Sequence, residues 1–222
     1  RLHARQGFAL ATINLDHLVK LRGSESFRLA YAAQDIVVAD GHPIVWLSWL
    51  AGSPVSLVPG SDMVLPLARV AAESGVNVAL VGANEETLAA AATRLRAVVP
   101  GLKISYCHAP SMGFDPEGAE ATEILRDLAQ RDIGLCFLAL GAPRQERLAA
   151  RGRQLSPNVG FACFGAGLDF VTGAQNRAPA WMRRLALEWL WRALSSPRRM
   201  IPRYAACAAI LPSEIFQAIR QR

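Results

Sequence analysis

The sequence predicts an α/β fold in which a largely parallel sheet is covered by helices on both faces, followed by a basic helical C-terminal appendage. Two observations predict the sheet: strand-like runs alternate with helical runs, and those strand-like runs are continuously apolar. A third observation predicts the appendage, because basic residues gather near the end of the chain. We expect residues 1–176 to form the α/β domain and residues 177–222 to form the appendage.

Apolar runs mark the predicted strands, which in chain order are Phe8–Ile13, Ile36–Ala39, Val76–Val81, Leu102–Cys107, Ile133–Leu140 and Val159–Phe164. Helical runs lie between them, at about 16–34, at Glu85–Val98 and from Asp115 to Gln130. Asp115 is a good N-cap and Pro116 suits the first helical position, so this pair predicts the start of the third helix. Ligands bind beyond the carboxyl ends of parallel strands, and the loops after these strands are therefore the candidate site.

Charge is distributed unevenly along a chain whose composition is that of a globular domain. The 222 residues are 52% hydrophobic and 19% charged, which is enough to build a sizeable core. Residues 177–222 hold nine Arg against two Glu, a net charge of +7, whereas the rest of the chain nets −1. Arg, Trp and Leu mixed in one segment suit an anionic lipid surface or a phosphate-bearing ligand.

The same pass along the chain predicts a cytoplasmic protein, for which any membrane role would be peripheral. The longest apolar stretch, residues 43–58, is broken by Gly52, Ser53 and Pro54, so we expect no spanning helix. The four Cys stand singly in apolar runs, which predicts buried reduced thiols and a reducing compartment. The chain begins with Arg1 rather than Met, so the lack of a signal peptide is only weak evidence for a cytoplasmic location.

Asp40-Gly41 follows a strand of the buried type, which places a carboxylate at the end of that strand. One interpretation is a turn aspartate that accepts hydrogen bonds from nearby backbone N–H groups. The other is a general base whose proton affinity is set by a partly dry pocket.

Two glycine-containing loops also follow predicted strands. The loop from Gly141 to Glu146 opens a helix, where backbone N–H groups suit a diphosphate, although an ordinary turn fits equally well. The second loop, Gly165-Ala166-Gly167, lacks the third glycine of a dinucleotide turn, and no strong helix is expected before Gly173. A nicotinamide or flavin site is therefore disfavoured, and we expect no cofactor.

The sequence also lacks several signatures of chemistry. It contains no Asp-x-Asp metal clamp and no Gly-Lys-Ser/Thr phosphate loop, and its four His are isolated. A bound metal is therefore not expected.

Six short motifs occur in order along nearly the whole chain. They are Thr12-Ile13-Asn14, Ala39-Asp40-Gly41-His42-Pro43, Pro59-Gly60-Ser61-Asp62, Gly141-Ala142-Pro143-Arg144-Gln145-Glu146, Gly165-Ala166-Gly167-Leu168-Asp169-Phe170, and Arg177-Ala178-Pro179 leading into Leu187-Glu188-Trp189-Leu190-Trp191-Arg192. Their joint order resembles the WecG/TagA/CpsF glycosyltransferase family. The resemblance implies a Rossmann-like domain and a metal-independent, inverting transfer from a UDP-sugar, often UDP-N-acetylmannosamine, to a polyprenyl-diphosphate-linked sugar in cell-surface or extracellular polysaccharide synthesis.

Site residues follow from the same resemblance. Asp40 looks like the general base that deprotonates the acceptor hydroxyl, and Thr12, Asn14 and Gln145 look like residues of the sugar pocket. Further substrate contacts are expected at residues of the shared motifs and their loops, namely Gly41, Asp62, Gly82, Arg144, Glu146, Gly165, Gly167 and Asp169. The basic C-terminal segment of the family contacts the membrane and can close over the active site of a neighbouring subunit, so an anionic membrane surface and a homo-oligomer are among the expected partners.

The chain departs from the family pattern at Leu57, where the family usually has an Arg that steadies the leaving diphosphate. Either another Arg supplies this charge or the enzyme handles a different donor. The planar guanidinium can grip two phosphate oxygens, so the natural substitutes are Arg192, Arg198, Arg199 and Arg203.

Two other classes of protein remain as alternatives. One is an α/β nucleotide-binding protein or oxidoreductase without transferase activity. The other is a nucleic-acid binder, suggested by the sequence pI of about 9.7. Trp181, Leu185 and Trp189 recur at helical spacing, which is typical of a lipid-facing or packed helix, so we expect no nucleic-acid partner.

Overall fold

A computed structural model describes residues 1–173, 178–179, 181–182 and 185–222, with the backbone alone for 169 and 170. Its strands are β1 (Phe8–Ile13), β2 (Ile36–Ala39), β3 (Asn77–Gly82), β4 (Lys103–His108), β5 (Ile133–Ala139) and β6 (Gly160–Cys163). They form one six-stranded sheet in the order β2-β1-β6-β5-β3-β4. The pairs β1–β6, β6–β5, β5–β3 and β3–β4 are parallel, so the predicted Rossmann-like α/β class is confirmed.

The helices of the described residues are α1 (Leu15–Gly23), α2 (Glu25–Ala32), α3 (His42–Leu50), α4 (Gly60–Glu73), α5 (Glu85–Val98), α6 (Ala119–Gln130), α7 (Arg144–Leu155), α8 (Gly167–Thr172), α9 (Glu188–Ser195) and α10 (Pro197–Gln221). Capping explains two of these starts. The Asn84 side chain accepts from the Thr87 N–H at 2.8 Å at the start of α5, and Asn14 caps α1 in the same way.

Three local predictions need correction. The expected helix over 16–34 is two helices, α1 and α2, separated at Ser24. The expected N-cap at Asp115 is wrong, because Asp115 accepts from the Glu117 N–H within a turn and α6 begins only at Ala119. A short helix, α8, does follow the Gly165 loop before Gly173.

Contacts within the chain divide it into two compact units. The sheet unit comprises Arg1–Thr12, Glu25–Val38 and Pro59–Gln175, and the helical unit comprises Ile13–Ser24, Ala39–Val58 and Asn176–Arg222. The expected appendage therefore groups with two earlier segments of the chain. Its role and its boundary at residue 177 stay predictions.

The core of the sheet unit lies between the strands and α4, α5 and α8. Val78, Leu80 and Leu135 are fully buried in it, as continuously apolar strands require when both faces of a sheet are covered. The helical unit differs, since among the 25 residues of its α10 only Met200, Cys207 and Ala218 are buried. Within the described residues, no helix is both long enough and apolar enough to cross a bilayer.

Candidate active site

Asp40 stands directly after β2, at the point where the chain turns into α3. Its N–H donates to the carbonyl of Ile13 at 2.7 Å, which fixes the backbone to the end of the neighbouring strand. Gly41 has φ of 109°, a conformation that side chains rarely adopt, and Pro43 lies in the first turn of α3. The Asp-Gly pair thus makes a sharp strand-to-helix turn that holds the carboxylate at the strand end.

The carboxylate of Asp40 lies in a poorly solvated position, although the residue as a whole is only partly buried. Burial raises its pKa above the usual 3.8, against the lowering effects of Arg192, of a hydrogen bond from Asn14 and of His17. Glu188 acts in the same direction as burial. A carboxylate with a raised pKa accepts a proton more readily, which suits a general base.

Asn14 connects the start of α1 to Asp40. Its Oδ1 accepts from the His17 N–H at 3.1 Å, and its own N–H donates to His17 Nδ1 at 3.2 Å. Because Oδ1 is used by the cap, the Asn14 amide nitrogen is the group that donates to the Asp40 carboxylate. His17 Nδ1 is the acceptor of the hydrogen bond from the Asn14 backbone N–H.

His17 and Glu188 belong to the surroundings of Asp40 but were not among the residues predicted from sequence. Their signals were present: His17 stands three residues after Asn14, as in a capping box, and Glu188 stands four residues before Arg192. Neither spacing by itself points to a catalytic carboxylate.

The position of the missing family Arg lies beside the same strand end. Leu57 pairs with Ala39 in an isolated parallel bridge, and the Val58 N–H donates to the Ala39 carbonyl at 2.8 Å. An Arg at Leu57 would therefore stand next to the strand end that carries Asp40.

The four Arg predicted to replace it differ in their surroundings. Arg192 interacts electrostatically with Asp40, and its Nε lies 3.7 Å from a Glu188 carboxylate oxygen. Arg203 forms an ion pair with Asp16 at 2.9 Å. Arg198 and Arg199 are exposed at the start of α10. Arg192 is the one of these four whose charge lowers the pKa of Asp40.

A second group of predicted residues surrounds Gln145 in the sheet unit. Gln145 Nε2 donates to the Glu146 carboxylate at 2.8 Å, and Gln145 Oε1 accepts from the Gly165 N–H at 2.9 Å. The Glu146 carboxylate can only accept a hydrogen bond and the Gly165 N–H can only donate one. The Gln145 amide can therefore take only this orientation. Glu146 is fully buried, and it therefore holds Gln145 in a fixed pose.

The remaining predicted residues of the sheet unit lie at strand ends and helix starts. Thr12 is buried at the end of β1, and a Cβ on Gly60 would come within 2.9 Å of its methyl group. Gly82 has φ of 117°, and a Cβ there would lie 2.5 Å from the Ala139 backbone. Gly82 is therefore required by close strand packing, whatever it contributes to ligand binding.

Three further predicted residues have less defined surroundings. Asp62 and Arg144 are exposed in the first turns of α4 and α7. Asp169 lies in α8, and its side chain is outside the described residues.

The predicted site residues thus fall into two groups. Those in the sheet unit are Thr12, Asp62, Gly82, Arg144, Gln145, Glu146, Gly165, Gly167 and Asp169. Those in the helical unit are Asn14, Asp40, Gly41, Arg192, Arg198, Arg199 and Arg203. Across the described part of the chain, no group of three or more His, Cys, Asp or Glu is arranged to hold a metal ion.

A cavity of about 430 Å³ lies elsewhere in the sheet unit, between α5 and the edge strand β4. Its lining includes Glu85, Arg96 and His108, and none of the predicted site residues. We give it no role in the candidate site, because the carboxylate with a raised pKa and the oriented amide lie outside it.

The chain is similar to two known transferases. The chain is 27% identical over 206 residues to an N-acetylglucosaminyldiphosphoundecaprenol N-acetyl-beta-D-mannosaminyltransferase of Bacillus subtilis (strain 168), covering 90% of this chain and 78% of that protein. It is 28% identical over 220 residues to the protein of the same name from Bacillus spizizenii (strain ATCC 23059 / NRRL B-14472 / W23), covering 96% of this chain and 82% of that protein. The sequence model of the glycosyl transferase WecG/TagA/CpsF family matches residues 1–222, the whole chain. The chain therefore belongs to the WecG/TagA/CpsF family of glycosyl transferases.

Proposed function

We propose that this chain transfers a hexose or N-acetylhexosamine, such as N-acetylmannosamine, from a UDP-sugar to a polyprenyl-diphosphate-linked sugar, with inversion at the anomeric carbon. The observation that carries the proposal is Asp40, a poorly solvated carboxylate of raised pKa at a strand end in a chain of this family. The names of the two relatives support N-acetylmannosamine as the transferred sugar and N-acetylglucosamine on a diphosphoundecaprenol as the acceptor. We place the reaction in the synthesis of a cell-surface or extracellular polysaccharide.

The proposed chemistry is a single displacement with Asp40 as the base. The Asp40 carboxylate takes the proton of the acceptor hydroxyl, and that oxygen bonds to the anomeric carbon of the donor from the side opposite the diphosphate. The bond between this carbon and the phosphate oxygen breaks, and its electron pair leaves with UDP. Burial raises the pKa of Asp40, and a raised pKa improves proton acceptance by the carboxylate.

Charge on the departing UDP needs cationic or N–H partners in this scheme. We assign the main contribution to Arg192, because its guanidinium already acts electrostatically on Asp40 within the helical unit. Fixed cations and oriented dipoles stabilise developing charge without reorganising, which is the usual source of a large rate effect. The enzyme then needs no metal. Arg192 supplies the charge of the Arg that the family usually has at the position of Leu57.

Gln145 is the proposed sugar-binding residue of the sheet unit. Its amide has one N–H donor and one lone pair already committed to Glu146 and Gly165. The other N–H and the other lone pair can therefore be offered to a sugar hydroxyl in a fixed direction. Thr12 and Asn14 are the further proposed sugar-pocket residues, the latter adjoining Asp40 directly.

The C-terminal segment is the proposed membrane contact. Residues 177–222 carry a net charge of +7, and each Arg near an anionic leaflet contributes about 1 kcal/mol, so several together give reversible docking. The proposed location is the inner face of a bacterial plasma membrane, where a polyprenyl-linked acceptor is held.

A donor screen tests the function. Purified protein is incubated with each of several UDP-sugars and a short-chain lipid-diphosphate N-acetylglucosamine acceptor, and products are read by mass spectrometry. We expect one added N-acetylhexosamine from UDP-N-acetylmannosamine, with the inverted anomeric configuration in the isolated product. Thermal protection by NAD and not by UDP, with no transfer from any UDP-sugar, would contradict the proposal and favour an oxidoreductase.

A further inference from the structure

We propose that helix α3, the loop after it and the end of α10 form one apolar face that inserts into the interfacial layer of an anionic phospholipid bilayer. The inference rests on the proposed function, since a lipid-linked acceptor requires the enzyme to work at a membrane. It goes further by assigning the insertion to a helix that begins next to Asp40, outside the basic C-terminal segment. We call this surface the α3–α10 face, made of Trp46, Trp49, Leu50, Val55, Phe216 and Ile219.

Helix α3 is apolar on its exposed side. Trp46 is 51% exposed, Trp49 is 62% exposed and Leu50 is 38% exposed. Spacings of three and four residues place these side chains on one side of the helix. The sequence of α3, HPIVWLSWL, contains no Asp, Glu, Lys or Arg, so its exposed side carries no formal charge apart from His42 when that ring is protonated.

The loop after α3 extends this surface. Val55 is 45% exposed, and its N–H donates to the Ser48 hydroxyl oxygen at 3.1 Å, which ties the loop back onto the helix. The Ser48 hydroxyl itself donates to the Val45 carbonyl at 2.7 Å. The loop is therefore held against α3 and presents Val55 beside it.

Helix α10 contributes the rest of the face. It packs against α3, and a Cβ on Gly52 would lie 3.5 Å from Arg222 Cγ, so the two helices meet at their C-terminal ends. Near that end, Phe216 is 67% exposed and Ile219 is 57% exposed. Large apolar side chains from two contacting helices make a surface that water solvates poorly.

Charge at the rim indicates which partner covers the face. Arg220 and Arg222 are exposed at the same end of α10. The nearest acid in that helix, Glu214, pairs with Arg22 at 2.7 Å and is therefore neutralised. Trp and Phe flanked by Arg match the boundary between acyl chains and anionic headgroups. A two-fold contact with a second copy of this chain would instead bring like charges together.

The position of α3 relates the face to the proposed base. Asp40 precedes α3 by one glycine, and Trp49 lies near the other end of that helix. At 1.5 Å per residue, α3 rises about 10 Å between His42 and Trp49. The exposed apolar side chains lie along the side of α3, so insertion of that side would bring the strand end that carries Asp40 close to the headgroup layer. The depth of α3 thus sets the height at which the acceptor hydroxyl must be presented.

Vesicle partitioning of full-length variants tests the proposal. Trp49→Gln and Phe216→Gln remove one side chain from each helix, and Leu29→Gln is the matched control, since Leu29 is 67% exposed on α2 in the sheet unit. Partition coefficients are measured with vesicles of phosphatidylcholine and phosphatidylglycerol. We expect each test variant to bind about tenfold more weakly and the control to bind like wild type. In parallel, the quenching of tryptophan fluorescence by brominated phosphatidylcholine should be weaker in Trp49→Phe than in wild type.

Two companion measurements separate the outcomes. Turnover on a water-soluble acceptor should stay near the wild-type value in Trp49→Gln and Phe216→Gln, which also shows that they fold. Unchanged partitioning of both variants would overturn the proposal. So would a loss of self-association in sedimentation with unchanged vesicle binding, because the face would then belong to a second copy. A wild-type protein that binds vesicles but transfers no sugar would refute the proposed function and leave the α3–α10 face standing.

Discussion

Asp40 and Asp16 are two carboxylates of the same helical unit whose pKa values move in opposite directions. Burial alone would raise the pKa of Asp16, but Lys20 Nζ at 2.8 Å and Arg203 at 2.9 Å hold it below 3.8. Burial also raises the pKa of Asp40, and there the cation Arg192 is offset in part by Glu188. The two sites share a residue type and differ in the number and closeness of their cations.

We propose that this difference separates a structural role for Asp16 from a chemical role for Asp40. Asp16 uses its charge to fasten α1 to α10, where Arg203 lies, and its proton is bound too weakly to be useful near neutral pH. Asp40 accepts a hydrogen bond from Asn14, and its pKa is nevertheless raised at the strand end. Perturbation by burial with a specific charge partner is typical of functional carboxylates.

The largest effect is expected at Asp40. We expect Asp40→Asn to lower turnover by about 10²–10⁴, the span of a lost general base, while UDP-sugar affinity measured by calorimetry stays nearly unchanged. Asp16→Asn is the comparison, with turnover within a few-fold of wild type. Equal losses in both variants would erase the distinction, and Asp62 would become the next candidate base.

A smaller effect is expected at Arg192. Removing its charge in Arg192→Gln should lower turnover by about 10²-fold, since one fixed group that stabilises developing charge is lost. Arg22→Gln is the matched control, because Arg22 pairs with Glu214 in the same unit at 2.7 Å. Steady-state kinetics with saturating donor measures both. Activity near wild type in Arg192→Gln would mean that the diphosphate charge is met by another group.

The pH dependence of turnover should respond to the charges around Asp40 with opposite signs. Arg192 lowers the pKa of Asp40, so Arg192→Gln should move the acidic limb of the rate profile to higher pH. Glu188 raises that pKa, so Glu188→Gln should move the limb to lower pH. The acidic limb reports the base because Asp40 must be deprotonated to act. Shifts of the same sign in both variants would assign the limb to another group.

Asp16 should matter for stability. Its folded pKa is lower than its unfolded pKa, so its stabilising contribution is present above the unfolded value, which is near 3.8, and is lost as pH falls through the folded value. We expect Asp16→Asn to lower the free energy of unfolding by about 1–3 kcal/mol at neutral pH. Urea denaturation at a series of pH values measures this. The gap between wild type and variant should close in acid, and a gap independent of pH would contradict the ion-pair account.

The smallest effect is expected from chelation. If side-chain cations and N–H groups supply all of the positive charge near the diphosphate, excess EDTA should leave turnover unchanged. Loss of activity that Mg²⁺ or Mn²⁺ restores would show that a metal belongs to the site.

Local sequence patterns predicted much of the sheet because neighbouring residues encode them. Strand β1 and helix α5 begin and end at the expected residues, since an apolar run and an Asn cap act within a few positions. The start of α6 was missed because Asp115 makes its hydrogen bond within a turn instead of capping a helix. An Asp side chain can cap a helix or accept a hydrogen bond within a turn, and the residue type alone does not show which of the two forms.

By itself, the sequence determined the α/β class, the motif order that identifies the family, and the presence of an aspartate after β2. Only the tertiary structure decided which charged groups surround that aspartate. Arg192 and Glu188 come from residues about 150 positions later in the chain, and Leu57 meets the strand end through a bridge to Ala39. A pKa depends on solvent exclusion and on charges a few ångströms away, and distance in space along a folded chain is independent of distance in sequence.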